Sequence, residues 1–163
     1  MILKNKHKLQ MNKELNILKD LFIEIESIKK ALVHLEKSFI SCTKVGIKDV
    51  YEEVELEKWE AFTARYSRLS DIVTQKVANS ILLIETNSTG SLIDKANFAE
   101  KKNWVKNAEE FRRLRLLRNY IAHEYEKQNT NEVFETVYQN YANLHLFVSN
   151  VIEYYDSNPI YKI

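Results

Sequence analysis

The sequence predicts an all-α fold, an antiparallel bundle of four main helices with one further short helix or packed loop. Three observations lead to this prediction. The chain has 163 residues but only two glycines and one proline, where average usage would give roughly 19 such residues. Apolar residues recur at steps of three and four along most of the chain, which is the spacing of amphipathic helices. No segment shows the alternation that is typical of a strand.

The first helix is predicted from a long apolar stripe and ends in a turn over residues 41–48, which contain Gly46. The second begins near Asp49, a suitable N-cap, and stops before the helix-breaking cluster at residues 86–90. The two stripes are Leu15, Leu18, Phe22, Ile25, Ile28, Leu32, Leu35 and Phe39, and then Trp59, Phe62, Tyr66, Leu69, Val73, Val77, Ile81 and Ile84.

Residues 91–103 show a weaker pattern, which indicates a short helix or a packed loop. A third helix runs from about Val105 through Ile121. A fourth starts near Asn129, which has capping-box spacing to Glu132, and ends before Pro159. The short connections between these segments favour antiparallel neighbours.

Length and composition predict one soluble domain over residues 1–163, with a frayed basic N-terminus at residues 1–10. No apolar run is long enough for a signal-peptide core or a membrane span, so we expect a cytoplasmic protein without membrane contact. The single cysteine, Cys42, permits no disulfide within the chain and is expected to be a semi-buried apolar residue. Metal-ligand pairs and glycine-rich phosphate loops are missing from the sequence, so no metal and no cofactor are expected.

The net charge of +1 argues against capture of nucleic acid by the whole surface. Residues 101–118, however, carry seven basic residues and two acidic ones. This local patch has two explanations: a solvated helix face with salt bridges, or a surface that binds RNA or an acidic partner. Its arginines are Arg112, Arg113, Arg115 and Arg118.

His123 lies close to this arginine cluster in the sequence. Histidine exchanges protons near neutral pH and arginine holds phosphate through paired hydrogen bonds, so the two together suit cleavage of a phosphodiester without a metal. Five positions separate Arg118 from His123, about 140° around an unbroken helix. If the two residues act together, the helix must bend or end between them, or a second subunit must supply one partner, as in a homodimer.

The polar residues of the chain also have explanations that involve no function. His123 could simply be satisfied by a helix end and by Glu124. His34 and His145 fit helix-surface or core-edge positions. Asp71 is either a solvated helix carboxylate or a polar group that faces the active cleft.

The segment from Arg118 to Tyr125, Arg-Asn-Tyr-Ile-Ala-His-Glu-Tyr, resembles the Arg-x4-His-x-Tyr motif of HEPN-domain proteins, in their HepT-like branch. The flanking stretches 107–112 and 132–134 also resemble that family, and 68–71 resembles the polar insertion in its second helix. The resemblance extends from about Met11 to Tyr155, with its specific part at residues 107–125.

This resemblance implies an all-helical, HEPN-like homodimer with metal-independent ribonuclease activity on RNA. Arg118 and His123 would be the catalytic pair, oriented by Asn119. HepT-like proteins resemble the toxin of a type VII-like toxin–antitoxin pair whose antitoxin is a minimal nucleotidyltransferase, MntA-like. That partner can transfer AMP from ATP to the motif tyrosine, here Tyr125, where the bulky anion would block the RNA phosphate.

Three functions stay open from the sequence. The first is the ribonuclease toxin, which the combination of Arg118, His123 and Tyr125 favours. The second is a non-catalytic HEPN subunit that binds substrate or partner for a nucleotidyltransferase. The third is a helical adaptor with no connection to nucleotides.

Overall fold

A computed structural model of the chain describes the backbone of residues 2–126 and 130–162 and the side chains of residues 11–124 and 130–162. The described backbone consists of helices and their connections, with no strand. The predicted all-α fold is confirmed. In these same ranges, no helix combines the length and the apolar character that crossing a membrane requires.

The described chain forms four long helical segments and one short one. A π-helical turn, Ile72–Val77, joins α2 and α3 into one continuous segment, and a 3-10 turn, Pro159–Tyr161, follows α6. The short α4 lies where the sequence indicated a short helix or a packed loop. The α-helices are α1 (Ile2–Val45), α2 (Glu53–Asp71), α3 (Ala78–Thr86), α4 (Leu92–Lys101), α5 (Ala108–Glu126) and α6 (Thr130–Ser157).

Contacts between the helices show that α1 runs antiparallel to the α2–α3 segment and to α6. Near the end of α1, the Cys42 thiol donates a hydrogen bond to the Lys58 carbonyl at 3.4 Å, whereas earlier in α1 Glu24 accepts one from Ser80 at 3.2 Å. Later residues of α1 therefore meet earlier residues of the α2–α3 segment. The same inverse order holds between α1 and α6 and between α5 and α6, in the pairs Thr43–Tyr138, Lys29–Asp156, Tyr120–Glu132 and Phe111–Phe147.

One buried apolar cluster draws side chains from every helix. The indole of Trp59 lies inside it, stacked on Phe134 with ring centroids 5.6 Å apart and edge-on to Phe62 at 6.0 Å. Cys42 is buried, and desolvation raises the pKa of its thiol to about 11. The sequence prediction of a small apolar role for Cys42 is consistent with this burial.

The helix ends differ in detail from the prediction. The helix α1 continues to Val45, into the expected turn, and ends because Gly46 adopts a left-handed φ of 79° and bonds back to the Cys42 carbonyl. The helix α2 begins at Glu53 and not near Asp49. Glu52 is its N-cap, and the Glu52 backbone N–H donates to the Glu55 carboxylate at 3.2 Å.

The end of α3 and the start of α5 also differ from the prediction. The α3 helix ends at Thr86, one residue into the breaker cluster, and Asn87 caps it with a left-handed φ of 56°. The α5 helix starts at Ala108, later than the predicted Val105. The segment before it buries the Trp104 side chain, and the backbone N–H of Trp104 donates to the Ala99 carbonyl. The capping role predicted for Asn129 falls outside the described residues.

The predicted stripe of α1 is wrong at Leu15 and Phe22, both of which are exposed, whereas Leu18 and Ile25 pack in or against the core. Phe22 is 52% exposed, and Leu21 is fully buried in its place. Both residues lie one turn before Ile25, at steps of three and four, so spacing alone cannot choose between them. The frayed terminus expected at residues 1–10 stays a prediction.

Candidate active site between α2 and α5

The orientation of α5 is fixed by its buried apolar residues. Phe111, Leu114 and Ile121 lie in the core with at most 5% exposure. Arg115 and Arg118 lie beside these residues at the edge that faces α2, and both are partly buried. The packing of α5 thus brings two members of the predicted basic patch against a neighbouring helix.

Asp71 joins α2 to α5 through both of its carboxylate oxygens. Arg115 Nη1 donates to Oδ1 and Arg118 Nε donates to Oδ2, each at 2.7 Å. About a quarter of the Arg115 side chain and about a third of the Asp71 and Arg118 side chains are exposed, so the cluster lies at the surface and not in the core. Such charge-assisted bonds restrict both guanidinium groups. Asp71 is thus bonded to two arginines of α5, and its predicted role as a polar group of the active cleft stays a prediction.

A π-helical turn begins directly after Asp71. Within it, Thr74 Oγ1 donates to the Ser70 carbonyl at 2.7 Å. Single π turns inside α-helices are frequent at functional sites. The sequence carried a signal that was missed, because Leu69, Val73, Val77 and Ile81 follow one another at steps of four. That spacing exceeds the 3.6 residues of an α-helical turn and indicates local underwinding.

An open groove of about 500 Å³ runs beside Arg118 between α2 and α5. Glu60 and Ser67 line it from α2, and Ala122 lines it from α5. The Ser67 hydroxyl is buried and makes no hydrogen bond among the described residues. The groove gives an extended ligand access to the Arg118 guanidinium from the solvent.

His123 and Asn119 lie on the outward side of α5 and are exposed. The helix is unbroken through Glu126, which excludes a helix end between Arg118 and His123. Their five-residue separation therefore turns the two side chains about 140° apart. A single chain does not bring Arg118 and His123 onto one face.

Tyr120 is a further member of this segment that sequence reasoning did not single out. Its hydroxyl donates to Glu132 Oε1 at 2.6 Å, which ties α5 to the first turn of α6. That hydrogen bond, with desolvation as the next cause, raises the pKa of Tyr120 to about 12. The sequence signal for this contact was a tyrosine near the end of one helix followed by a glutamate at the start of the next.

The remaining predicted residues are placed as follows. Arg112 and Arg113 approach the same carboxylate, Glu109, at 3.6 and 3.9 Å on an exposed side of α5. Arg115 points instead to Asp71, so the predicted patch is divided between two sides of the helix. The side chain of Tyr125 lies outside the described residues.

Among the side chains that the structure describes, no group of three or more His, Cys, Asp or Glu residues could hold a metal ion. Arg118 is the one cation among the described residues that line the groove, and Asp71, which does not line it, bonds Arg118 from beside it. This arrangement can hold an anion such as a phosphate.

Comparison with known families identifies the class of protein. A family model described as ribonuclease HepT-like matches residues 47–151, which is more than half of the chain. The chain therefore belongs to the ribonuclease HepT-like family, which is HEPN-related. The match contains the whole Arg118–Tyr125 motif and Asp71, and it is narrower than the span from Met11 to Tyr155 inferred from the sequence. No curated protein and no solved structure matches the chain.

Proposed function

We propose that the chain is a metal-independent endoribonuclease, the dimeric toxin of a type VII-like toxin–antitoxin pair. The observation that carries the proposal is the Asp71–Arg118 contact at the edge of an open groove, within the segment that matches the family. A MntA-like nucleotidyltransferase neutralises this activity by AMPylation of Tyr125. No cofactor takes part.

Arg118 binds the scissile phosphate in this proposal. Asp71 engages Nε, the guanidinium nitrogen nearest the chain, so the two terminal Nη atoms are the ones that meet a phosphate. Arginine stays charged at all relevant pH values and matches the geometry of phosphate oxygens. The preoriented charge stabilises the extra negative charge that develops on the phosphate in the transition state.

His123 moves the proton. The 2′-oxygen of the ribose attacks phosphorus, the bond from phosphorus to the 5′-oxygen breaks, and a proton passes from the attacking to the leaving oxygen. His123 takes that proton from the 2′-hydroxyl or delivers one to the leaving 5′-oxygen. Asn119, which precedes His123 by one helical turn on the exposed side of α5, orients the pair.

A second copy of the chain completes the site. Because α5 is continuous, Arg118 of one copy meets His123 of the other across a two-fold axis. Leu116 supports this arrangement, since it lies on the His123 side of α5 and is 60% exposed. Its exposure leaves this side of α5 accessible to a contact of α5 with itself.

Modification of Tyr125 explains inhibition. Position 125 follows Arg118 by seven residues, which is close to two turns of helix. An adenylate attached there adds negative charge and volume near the phosphate site. Arg115, on the side that faces α2, remains a candidate for contact to RNA, and the solvated Arg112 and Arg113 remain candidates for contact to this partner.

The test is RNA cleavage in the presence of EDTA. Wild-type protein should cleave, and His123→Ala should lower the rate at least 100-fold, in line with the size of general acid–base effects. His145→Gln is the matched control, because His145 pairs with Glu36 at 2.7 Å, away from the groove. A wild-type protein that binds its partner but cleaves no RNA would support the non-catalytic subunit instead.

The regulatory part is tested separately by intact mass and tryptic mapping. The protein is purified with and without the nucleotidyltransferase and ATP. A gain of adenylate on Tyr125 together with loss of cleavage is expected. An unmodified Tyr125 in an inactive complex would contradict AMPylation and indicate inhibition by occlusion.

A further inference from the structure

We propose that Arg65, Arg68, Arg115 and Arg118 form a continuous strip that holds the phosphate backbone of single-stranded RNA beyond the groove at Arg118. We call these four residues the arginine strip. The proposal rests on the proposed ribonuclease function and deepens it, since it adds two residues of α2 that lie outside the motif.

Arg65 and Arg68 lead from α1 towards Asp71 around the surface of α2. Arg65 Nη1 donates to Ser38 Oγ and to the His34 carbonyl, the latter at 3.5 Å, so Arg65 lies at the boundary with α1. Arg68 follows Arg65 by three positions and precedes Asp71 by three. Each such step turns about 60° around the helix, which places the exposed Arg68 between Arg65 and Asp71.

The strip continues onto α5 through Asp71. Its carboxylate bonds Arg115 and Arg118 at 2.7 Å, so four of the six arginines lie in one band across α2 and α5. Axes of packed helices are about 8–10 Å apart, and crossing from the boundary between α1 and α2 to the axis of α5 therefore covers roughly 12–15 Å. This length exceeds the reach of a single phosphate contact.

The strip is strongly positive in a nearly neutral chain. Among the described residues, neither Arg65 nor Arg68 has an ion-pair partner, and the groups that Arg65 bonds are neutral. Asp71 is the carboxylate bonded to the strip, and both of its oxygens are engaged by Arg115 and Arg118. Glu60, which lines the groove with Arg118, is a second carboxylate nearby and reduces the positive charge at that end of the strip.

Arginines that lack acidic partners attract polyanions, and neutralising phosphates releases counterions. RNA is favoured over an acidic protein surface because the strip runs directly into Arg118, the proposed ligand of the scissile phosphate. A chain held at several phosphates would also be fixed in the groove for cleavage.

Binding of a labelled 20-nucleotide oligouridylate to the full chain tests the strip. The background is His123→Ala, so that the probe stays intact. Arg65→Gln with Arg68→Gln removes two charges from the strip. Lys29→Gln with Lys162→Gln is the matched control, since it removes the same charge at Asp156, where α1 meets the end of α6.

The strip variant should weaken binding roughly ten-fold or more at low salt and flatten the plot of log K against log salt by about 1.4, or about 0.7 for each lost phosphate contact. The control should stay within about two-fold of the parent. Replacing Arg65 and Arg68 by lysine keeps the charge and should restore most of the affinity. Unchanged thermal unfolding shows that the variants remain folded.

Equal losses in the strip variant and the control would overturn the proposal, because they would reflect total charge alone. An unchanged affinity in the strip variant would also overturn it, and loss of nucleotidyltransferase binding alone would identify an acidic protein as the partner. A wild-type chain that binds RNA through the strip but cleaves none would contradict the ribonuclease and leave the strip intact.

Discussion

The two sides of α5 carry arginines in different settings. On the side that faces α2, Arg115 and Arg118 each bond Asp71 at 2.7 Å. On the outer side, Arg112 and Arg113 approach Glu109 at 3.6 and 3.9 Å, and at least half of each of these side chains is exposed. The turn of the helix thus divides one run of basic residues between two sides, with Arg115 and Arg118 bonded to another helix and Arg112 and Arg113 solvated.

A run of basic residues in the sequence therefore does not by itself locate a binding site. Loose contacts between exposed charges hold a side chain weakly. A carboxylate from another helix, bonded through both oxygens, holds two guanidinium groups in place before any ligand arrives. Preorientation of this kind is what transition-state stabilisation requires.

The largest effect on RNA cleavage is expected at Arg118, on the side of α5 that faces α2. Arg118→Ala should lower the rate of RNA cleavage at least 100-fold, as loss of a charge stabiliser typically does. Arg113→Ala should leave the rate within about two-fold, because its side chain is solvated. Cleavage assays on both variants measure this. Similar losses in the two would refute the division of α5 into two sides.

A smaller effect is expected at Asp71, which positions Arg118 and does not touch the substrate. Asp71→Asn should reduce kcat roughly ten-fold because Arg118 loses its orientation. KM should stay equal or fall, since the site becomes more positive. Steady-state kinetics separate the two parameters, with Asp71→Glu as a partial rescue. A rise in KM with unchanged kcat would show that Asp71 does not position Arg118.

Removal of a negative charge from the groove should strengthen RNA binding. Glu60→Gln removes a carboxylate from the groove beside Arg118 and should tighten RNA binding about two- to five-fold at low salt. Glu109→Gln, on the outer side of α5, is the matched control and should change affinity less. Fluorescence titrations at several salt concentrations compare the two. A stronger effect of Glu109→Gln would place the RNA on the outer side.

The smallest effect concerns Tyr120, whose folded-state pKa is raised to about 12, chiefly by its bond to Glu132. The neutral phenol stabilises the fold, so this contribution is complete below about pH 10. It is lost as the pH rises through about 12. Tyr120→Phe should flatten the stability profile over that range, measured by chemical denaturation. An unaltered profile would show that the bond does not stabilise the fold.

Much of the architecture follows from the sequence because the helical spacing is strong. The scarcity of glycine and proline, together with the stripes through Trp59 and Phe134, predicts the bundle that is observed. Spacing fails where two residues fit it equally, as at Leu21 and Phe22. It fails again where the cap is glutamate, as at Glu52, whose side chain is not a favoured N-cap.

The candidate site was less accessible to sequence reasoning. Arg118 and Asp71 are 47 positions apart, and their contact depends on the relative rotation of two helices. The π turn directly after Asp71 leaves only a run of four-residue steps as its trace in the sequence. Arg65 carried no signal either, since its partners belong to α1.

Subunit complementation tests the central claim most directly. Arg118→Ala and His123→Ala proteins, each inactive, are mixed and allowed to exchange subunits. If the site pairs Arg118 of one copy with His123 of the other, each mixed dimer contains one intact site, and activity should recover to about a quarter of wild type. A mixture no more active than its components would contradict a site shared between two copies.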